Sequence, residues 1–242
     1  MPRSTVAGGL IAVAVMVILS SCVAPSPTPV PTSSTPVPST AADPTPTAEA
    51  DPLSTVAALV MRPEVLQLAA ADGAVVAELD YLSAPVDAIT ALSAVFESEP
   101  TDEEFPGSGH FPPSTAHRWG DFTLWEQHYV DNWANVAEAG PNLFLPAFKV
   151  QYTGPEAMGV MLKDVDDRHV GGSWADLMSD PGLLTNPSGC SGPYVDYVTF
   201  EVERPDGVHY AQKVSVDFVS TDDAASIERI GAPMPVYEDG CA

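Results

Sequence analysis

The chain has 242 residues, 33 of them acidic against 9 basic, for a formal net charge of −24. That imbalance repels phosphate backbones and anionic headgroups, so it excludes nucleic-acid binding and weighs against charge-driven adhesion to a membrane. Hydrophobic residues make up 45% of the chain, enough to fill a core of one domain or of two small halves.

From the N-terminus, Met1, Pro2 and Arg3 form a short basic start, and residues 6–19 are free of charge and rich in Ala, Val, Ile and Leu. This is the order of a secretory signal, with an apolar stretch too short to span a bilayer comfortably. Leu19-Ser20-Ser21-Cys22 closes it and resembles the lipobox of bacterial lipoproteins. The resemblance implies a signal peptide over 1–21 and a diacylglycerol on Cys22. It places the chain at the cell membrane, lipid-anchored on the extracytoplasmic face. An uncleaved anchor helix with an incidental cysteine is the competing reading.

Residues 22–52 read as a linker. Pro25, Pro27, Pro29, Pro31, Pro36, Pro38, Pro44, Pro46 and Pro52 alternate with Ser, Thr, Ala and Val. Proline at this density forbids helix and favours polyproline II, at about 3.1 Å per residue a reach of roughly 80 to 90 Å. Ser and Thr beside Pro also permit O-glycosylation. The Ala-rich, Lys-poor usage and the Pro/Thr stalk resemble the lipoproteins of high-GC Gram-positive bacteria.

Residues 53–242 form the predicted globular part, as one unit or as halves 53–140 and 141–242. An apolar run over 59–70 and another over 74–81 flank Asp72-Gly73, a hairpin signal. Pro63 predicts an edge or a bulge early in the first run. Ser83 with Pro85 predicts a helix start, and Val86, Ile89, Leu92 and Phe96 recur at helical spacing. A polar loop over 100–113 precedes a hairpin turning at Gly120-Asp121. Phe148, Val150 and Tyr152 alternate as a strand, and 159–163 read as another. Ser173 with Asp176 predicts a capped short helix. A long hairpin then pairs Val198, Phe200 and Val202 with Val214, Val216 and Phe218, and 226–230 is the last strand.

Both helices end alike, in Phe96-Glu97-Ser98-Glu99-Pro100 and Leu177-Met178-Ser179-Asp180-Pro181. The expected fold class is therefore α+β: antiparallel sheet with short helices packed on one face, arranged as two hairpin–helix–hairpin repeats if the likeness reflects a duplication. Val170-Gly171-Gly172-Ser173-Trp174-Ala175-Asp176-Leu177 resembles the entrance to the helix of small envelope modules of the β-lactamase-inhibitor type. Over some dozen residues, that resemblance implies a helix on an antiparallel sheet and a protein-binding role.

Cys22 aside, Cys190 and Cys241 are the remaining cysteines, and in an exported protein the default is one disulfide between them. It would close a loop of about fifty residues, on the order of 4 kcal/mol by chain entropy; two free thiols are the alternative. Catalytic and metal motifs are missing. His110, His117 and His128 have no zinc spacing and read as isolated surface or hairpin histidines. Asp164, Asp166 and Asp167 meet Arg168 where a calcium loop needs oxygen, and read as a solvated turn. Gly189-Cys190-Ser191-Gly192 lacks the strand and helix of a nucleophile elbow. No cofactor, metal or enzymatic activity is expected. Aromatic residues crowd 119–133, and Trp125, Tyr129 and Trp133 are the candidate partner-binding patch, with core packing as the rival account. The expected function is a membrane-anchored binding or structural module for a protein or cell-wall partner, the alternative a solute-binding protein or envelope hydrolase.

Overall fold

The computed structural model describes residues 51–134, 143–186, 188–189, 191–203, 207 and 209–237. Cys22 with the segment before it, the linker up to residue 50, and both Cys190 and Cys241 lie outside the described residues. No helix among the described residues is long and apolar enough to cross a membrane.

The first segment is a meander of β1 (Val56–Met61), β2 (Val65–Ala70) and β3 (Val75–Asp80). The 59–70 run is split rather than continuous. Pro63 sits in a turn where the Arg62 N–H donates to the Val65 carbonyl at 3.1 Å, as a residue without an N–H tolerates better than a strand would. The Asp72-Gly73 turn forms as expected, with Gly73 at φ +84° and the Asp72 carboxylate accepting from the Ala74 N–H at 3.0 Å. Helix α1 (Pro85–Phe96) follows with Pro at its start; its N-cap is Ala84, which makes no side-chain cap bond, rather than Ser83. It buries Ala88, Leu92 and Phe96, while Val86 faces solvent.

The 100–113 stretch is not all loop. Residues Thr101–Phe105 form strand β4, ahead of the hairpin β5 (Ser114–Trp119) and β6 (Phe122–Gln127). Its acidic edge (Asp102, Glu103, Glu104) hid the strand signal, and such charge is what keeps an edge strand from pairing with other chains. Then come β7 (Phe148–Tyr152), β8 (Glu156–Ala157), β9 (Val160–Asp164), α2 (Trp174–Met178), β10 (Tyr194–Glu203), β11 (His209–Ser220) and β12 (Ile227–Val236). Ser173 caps α2 by accepting from the Asp176 N–H.

Two sheets result, of order β3-β2-β1-β9-β8 and β10-β11-β12-β7-β6-β5-β4. Every pairing is antiparallel except β1 with β9. The sheets share one core with α1, in which Leu59, Met61 and Leu162 of the five-stranded sheet join Phe122, Phe148, Tyr152 and Phe218 of the seven-stranded one. Tyr152 donates its hydroxyl to the Leu59 carbonyl at 3.1 Å, and Arg62 pairs with Asp196 at 2.6 Å. Strands from either side of residue 140 meet in both sheets, at β1–β9 and at β6–β7.

The fold is thus mostly antiparallel sheet with few, short helices, and the repeated hairpin–helix–hairpin units are absent. Helix α1 spans twelve residues and α2 five. The strands before α1 form a three-stranded meander, whereas β9 before α2 joins β1 in parallel. Even the matching ends differ: Glu97 takes a left-handed conformation at φ +50°, while Ser179 stays right-handed. Polar residues followed by proline are a general way to stop a helix, so the likeness reflects the same local signal, not a duplicated module.

Candidate functional site

Period-two alternation sends Phe148, Val150 and Tyr152 of β7 into the core, so Lys149 and Gln151 point to the other face of the seven-stranded sheet. The cross-strand partner of Lys149 is Trp125, and that of Gln151 is Gly231. Asp217 pairs with the same glycine from the opposite side. One outer sheet face therefore gathers Trp125, Lys149, Gln151, Asp217 and Arg229.

That face is covered in part. Residues 106–113 fold back over it in a turn in which Ser108 accepts from the N–H groups of His110 (3.1 Å) and Phe111 (3.2 Å). Gly107 permits the reversal at φ +75°, where a Cβ would lie 2.5 Å from the Pro113 nitrogen. Phe111 is presented at the tip, 67% exposed. Beneath it lie two adjoining cavities of about 510 and 860 Å³, both bordered by Phe111, Gln127, Lys149, Asp217, Arg229 and Met234. They form one cleft. Its opening has a backbone cause: Pro233 and Pro235 of β12 have no N–H to give to a ladder, and pairing of β12 with β7 ends at Ala232 opposite Val150.

The walls are aromatic. Trp125 lines the first cavity, held with its ring 4.9 Å from that of Phe105 and with the Arg118 guanidinium 5.4 Å from its centroid. Tyr129 and Trp133 line the second, with Trp174 of α2 and Tyr237. All three aromatic candidates thus border the cleft, although Tyr129 is also tied to the scaffold by a hydroxyl hydrogen bond to the Pro146 carbonyl at 2.9 Å. Burial pushes that phenol above its ordinary pKa range.

The floor is charged. Asp217 is 4% exposed, and burial pushes its pKa up to about 6. The charge of Arg229, the Gly192 N–H and the charge of Lys149 oppose that rise. Burial lowers the pKa of Lys149, and the Asp217 charge works against the shift. One glycine makes room for the carboxylate and another for the backbone of Phe218. A Cβ on Gly231 would lie 3.2 Å from Asp217 Oδ1, and one on Gly192 would lie 1.7 Å from the Phe218 carbonyl oxygen.

Lys149, Asp217 and Arg229 did not stand out in the sequence. A signal existed: each is a charge next to a large apolar residue in a strand, Phe-Lys-Val and Val-Asp-Phe among them. It marks a second sheet face, but not whether that face is covered.

Other predicted features fall elsewhere. His117 lies on the β5–β6 hairpin but is buried and partnered rather than isolated, its Nδ1 2.7 Å from Asp102 and its Nε2 3.1 Å from Glu126. His128 meets the Thr115 hydroxyl at 2.8 Å, and His110 lies on the cleft rim. Asp164 is fully buried instead of solvated; its carboxylate accepts from the Asp166 and Arg168 N–H groups and from the Arg168 guanidinium. Ser191 borders the cleft, and its hydroxyl accepts from Asn186 at 2.7 Å. Among the described residues no group of three or more His, Cys, Asp or Glu side chains could hold a metal ion. Compared with protein-family models, curated proteins and solved structures, the chain finds no match.

Proposed function

We propose that this chain is a lipid-tethered, extracytoplasmic binding protein whose ligand lies in the cleft on the outer face of the seven-stranded sheet. The observation that carries the reading is the cleft itself: a concavity walled by aromatic rings, floored by a few polar and charged groups and set on a rigid sheet. That combination is the usual make-up of a ligand site. Trp125, Tyr129 and Trp133 are its apolar walls, and Cys22 its acyl attachment, with the 22–52 linker holding the domain off the membrane. The single disulfide Cys190–Cys241 belongs to the same proposal. Among the described residues bordering the cleft, no hydrogen bond joins a nucleophile to a base: Ser191 accepts from Asn186. Binding is therefore favoured over hydrolysis.

The test is photocrosslinking on intact cells with a benzophenone side chain at position 111, on the cleft rim, or at position 86, on the exposed side of α1. Adducts from position 111 alone are expected. Equal yields from both positions, or adducts from neither, would overturn the assignment of the cleft. In the same cells Cys22→Ser is expected to move the chain from the membrane fraction to the medium; retention at the membrane would remove the acyl tether.

A further inference from the structure

Among the described residues there are seven basic side chains: Arg62, Arg118, Lys149, Lys163, Arg168, Lys213 and Arg229. In a chain with 33 acidic residues, each is expected to find a carboxylate. Arg62 pairs with Asp196, Arg118 with Glu103, Lys163 with Asp167, and Arg168 with Asp164, Asp166 and Asp180. Lys213 lies over the ring of Tyr197. Lys149 and Arg229 make no ion pair or side-chain hydrogen bond among the described residues, and both border the cleft, Lys149 half-buried and Arg229 exposed. They act on Asp217 through space without touching it.

Lys149 carries an unsatisfied demand for negative charge, because a half-buried ammonium loses hydration that no described residue replaces, and Arg229, exposed beside it, adds a second positive charge at the cleft. Asp217 meets that demand only in part: it is one buried carboxylate facing two cations, and it forms an ion pair with neither. The rings on either side of the charges suit a flat apolar face, whether of an aromatic ring or of a pyranose. Gln127 and Gln151 add amide groups that bond to hydroxyls or a second oxygen.

We infer that the cleft takes a carboxylate-bearing ring compound, its carboxylate seated between Lys149 and Arg229 and its ring against the aromatic walls. The inference rests on the cleft being the ligand site and adds the class of ligand. It also gives Asp217 a role. When ionised, Asp217 cancels one of the two positive charges that hold the ligand; when protonated, it leaves both. Its pKa of about 6 puts that change at mildly acidic pH. Besides Lys149 and Arg229, the titratable groups among the described residues bordering the cleft are His110, Tyr129 and Tyr237.

The test is titration of the full chain, purified in detergent, with benzoate and glucuronate and with their neutral counterparts benzamide and glucose, followed by ligand-observed NMR. At least one acid is expected to bind about ten-fold or more tighter than its neutral partner, and which acid does so separates an aromatic from a saccharide source. Lys149→Met and Arg229→Met are each expected to weaken that acid about ten-fold and leave the neutral compound unchanged, with folding checked by circular dichroism. In a His110→Gln background, lowering the pH from 7.5 to 5 is expected to tighten acid binding, and Asp217→Asn to abolish that dependence. Acids and neutral compounds binding alike, or no acid binding, would overturn the ligand class. Rim-specific crosslinks would still uphold the cleft as the site.

Discussion

At the end of β9 one arginine is surrounded by carboxylates; on the outer face of the seven-stranded sheet one carboxylate is faced by two cations. Both places bury an aspartate on a strand. Asp164 is closed on all sides: two backbone N–H groups and the Arg168 guanidinium bond to it, and the same guanidinium reaches Asp166 and Asp180. This knot ties the end of β9 to the loop after α2, and it is structural. Asp217 is equally hidden, but its cations stand off and border open space. Charges that satisfy one another hold a fold together. Charges left unsatisfied in a cleft are poised for something that is not part of the chain.

Mutations can break this contrast. The largest effect is expected from Arg168→Met, which strands the buried Asp164 charge: a loss of about 3–5 kcal/mol in urea unfolding. A loss under 1 kcal/mol would show that the knot is not structural. Asp217→Asn comes next, with the opposite sign. The native pKa of Asp217, about 6, stands above its ordinary 3.8, so the folded state binds the proton more tightly and stability falls as pH rises through that window. Above pH 6 the ionised group costs up to about 3 kcal/mol. The variant is expected to be more stable than the parent by up to that amount at pH 7.5, the gain vanishing toward pH 4. A gain independent of pH would assign it to packing instead. The smallest effect is expected from Lys149→Met, where relief of desolvation offsets the lost attraction to Asp217: a change within about 1 kcal/mol. A loss approaching that of Arg168→Met would make the floor of the cleft a second structural knot.

Much of the scaffold was legible because its signals are local. The turns at Asp72-Gly73 and Gly120-Asp121, the alternation of Phe148, Val150 and Tyr152, and the Ser173 cap each depend on a few adjacent residues, and each appears as read. Strand β4 was missed because its edge-protecting acids look like a loop, and the end of β12 because Pro233 and Pro235 look like breakers. The prolines do end the pairing with β7, but pairing with β11 continues to Val236. The helix-end likeness does not extend to a repeat, since a stop signal carries no information about what the flanking strands pair with.

The site divides in the same way. That Trp125, Tyr129 and Trp133 are aromatics crowded into one stretch is plain from the sequence, and so is the preponderance of acid that leaves few cations to place. That Lys149, Asp217 and Arg229 border one cleft is not, because they come from strands separated by as many as 80 residues (149 to 229) and meet only through the order β11-β12-β7. Local propensity and period-two alternation set turns, caps and sheet faces, as these depend on neighbours along the chain. Which faces are covered, and which charges are left without partners, depends on long-range pairing, and only the tertiary structure decides it.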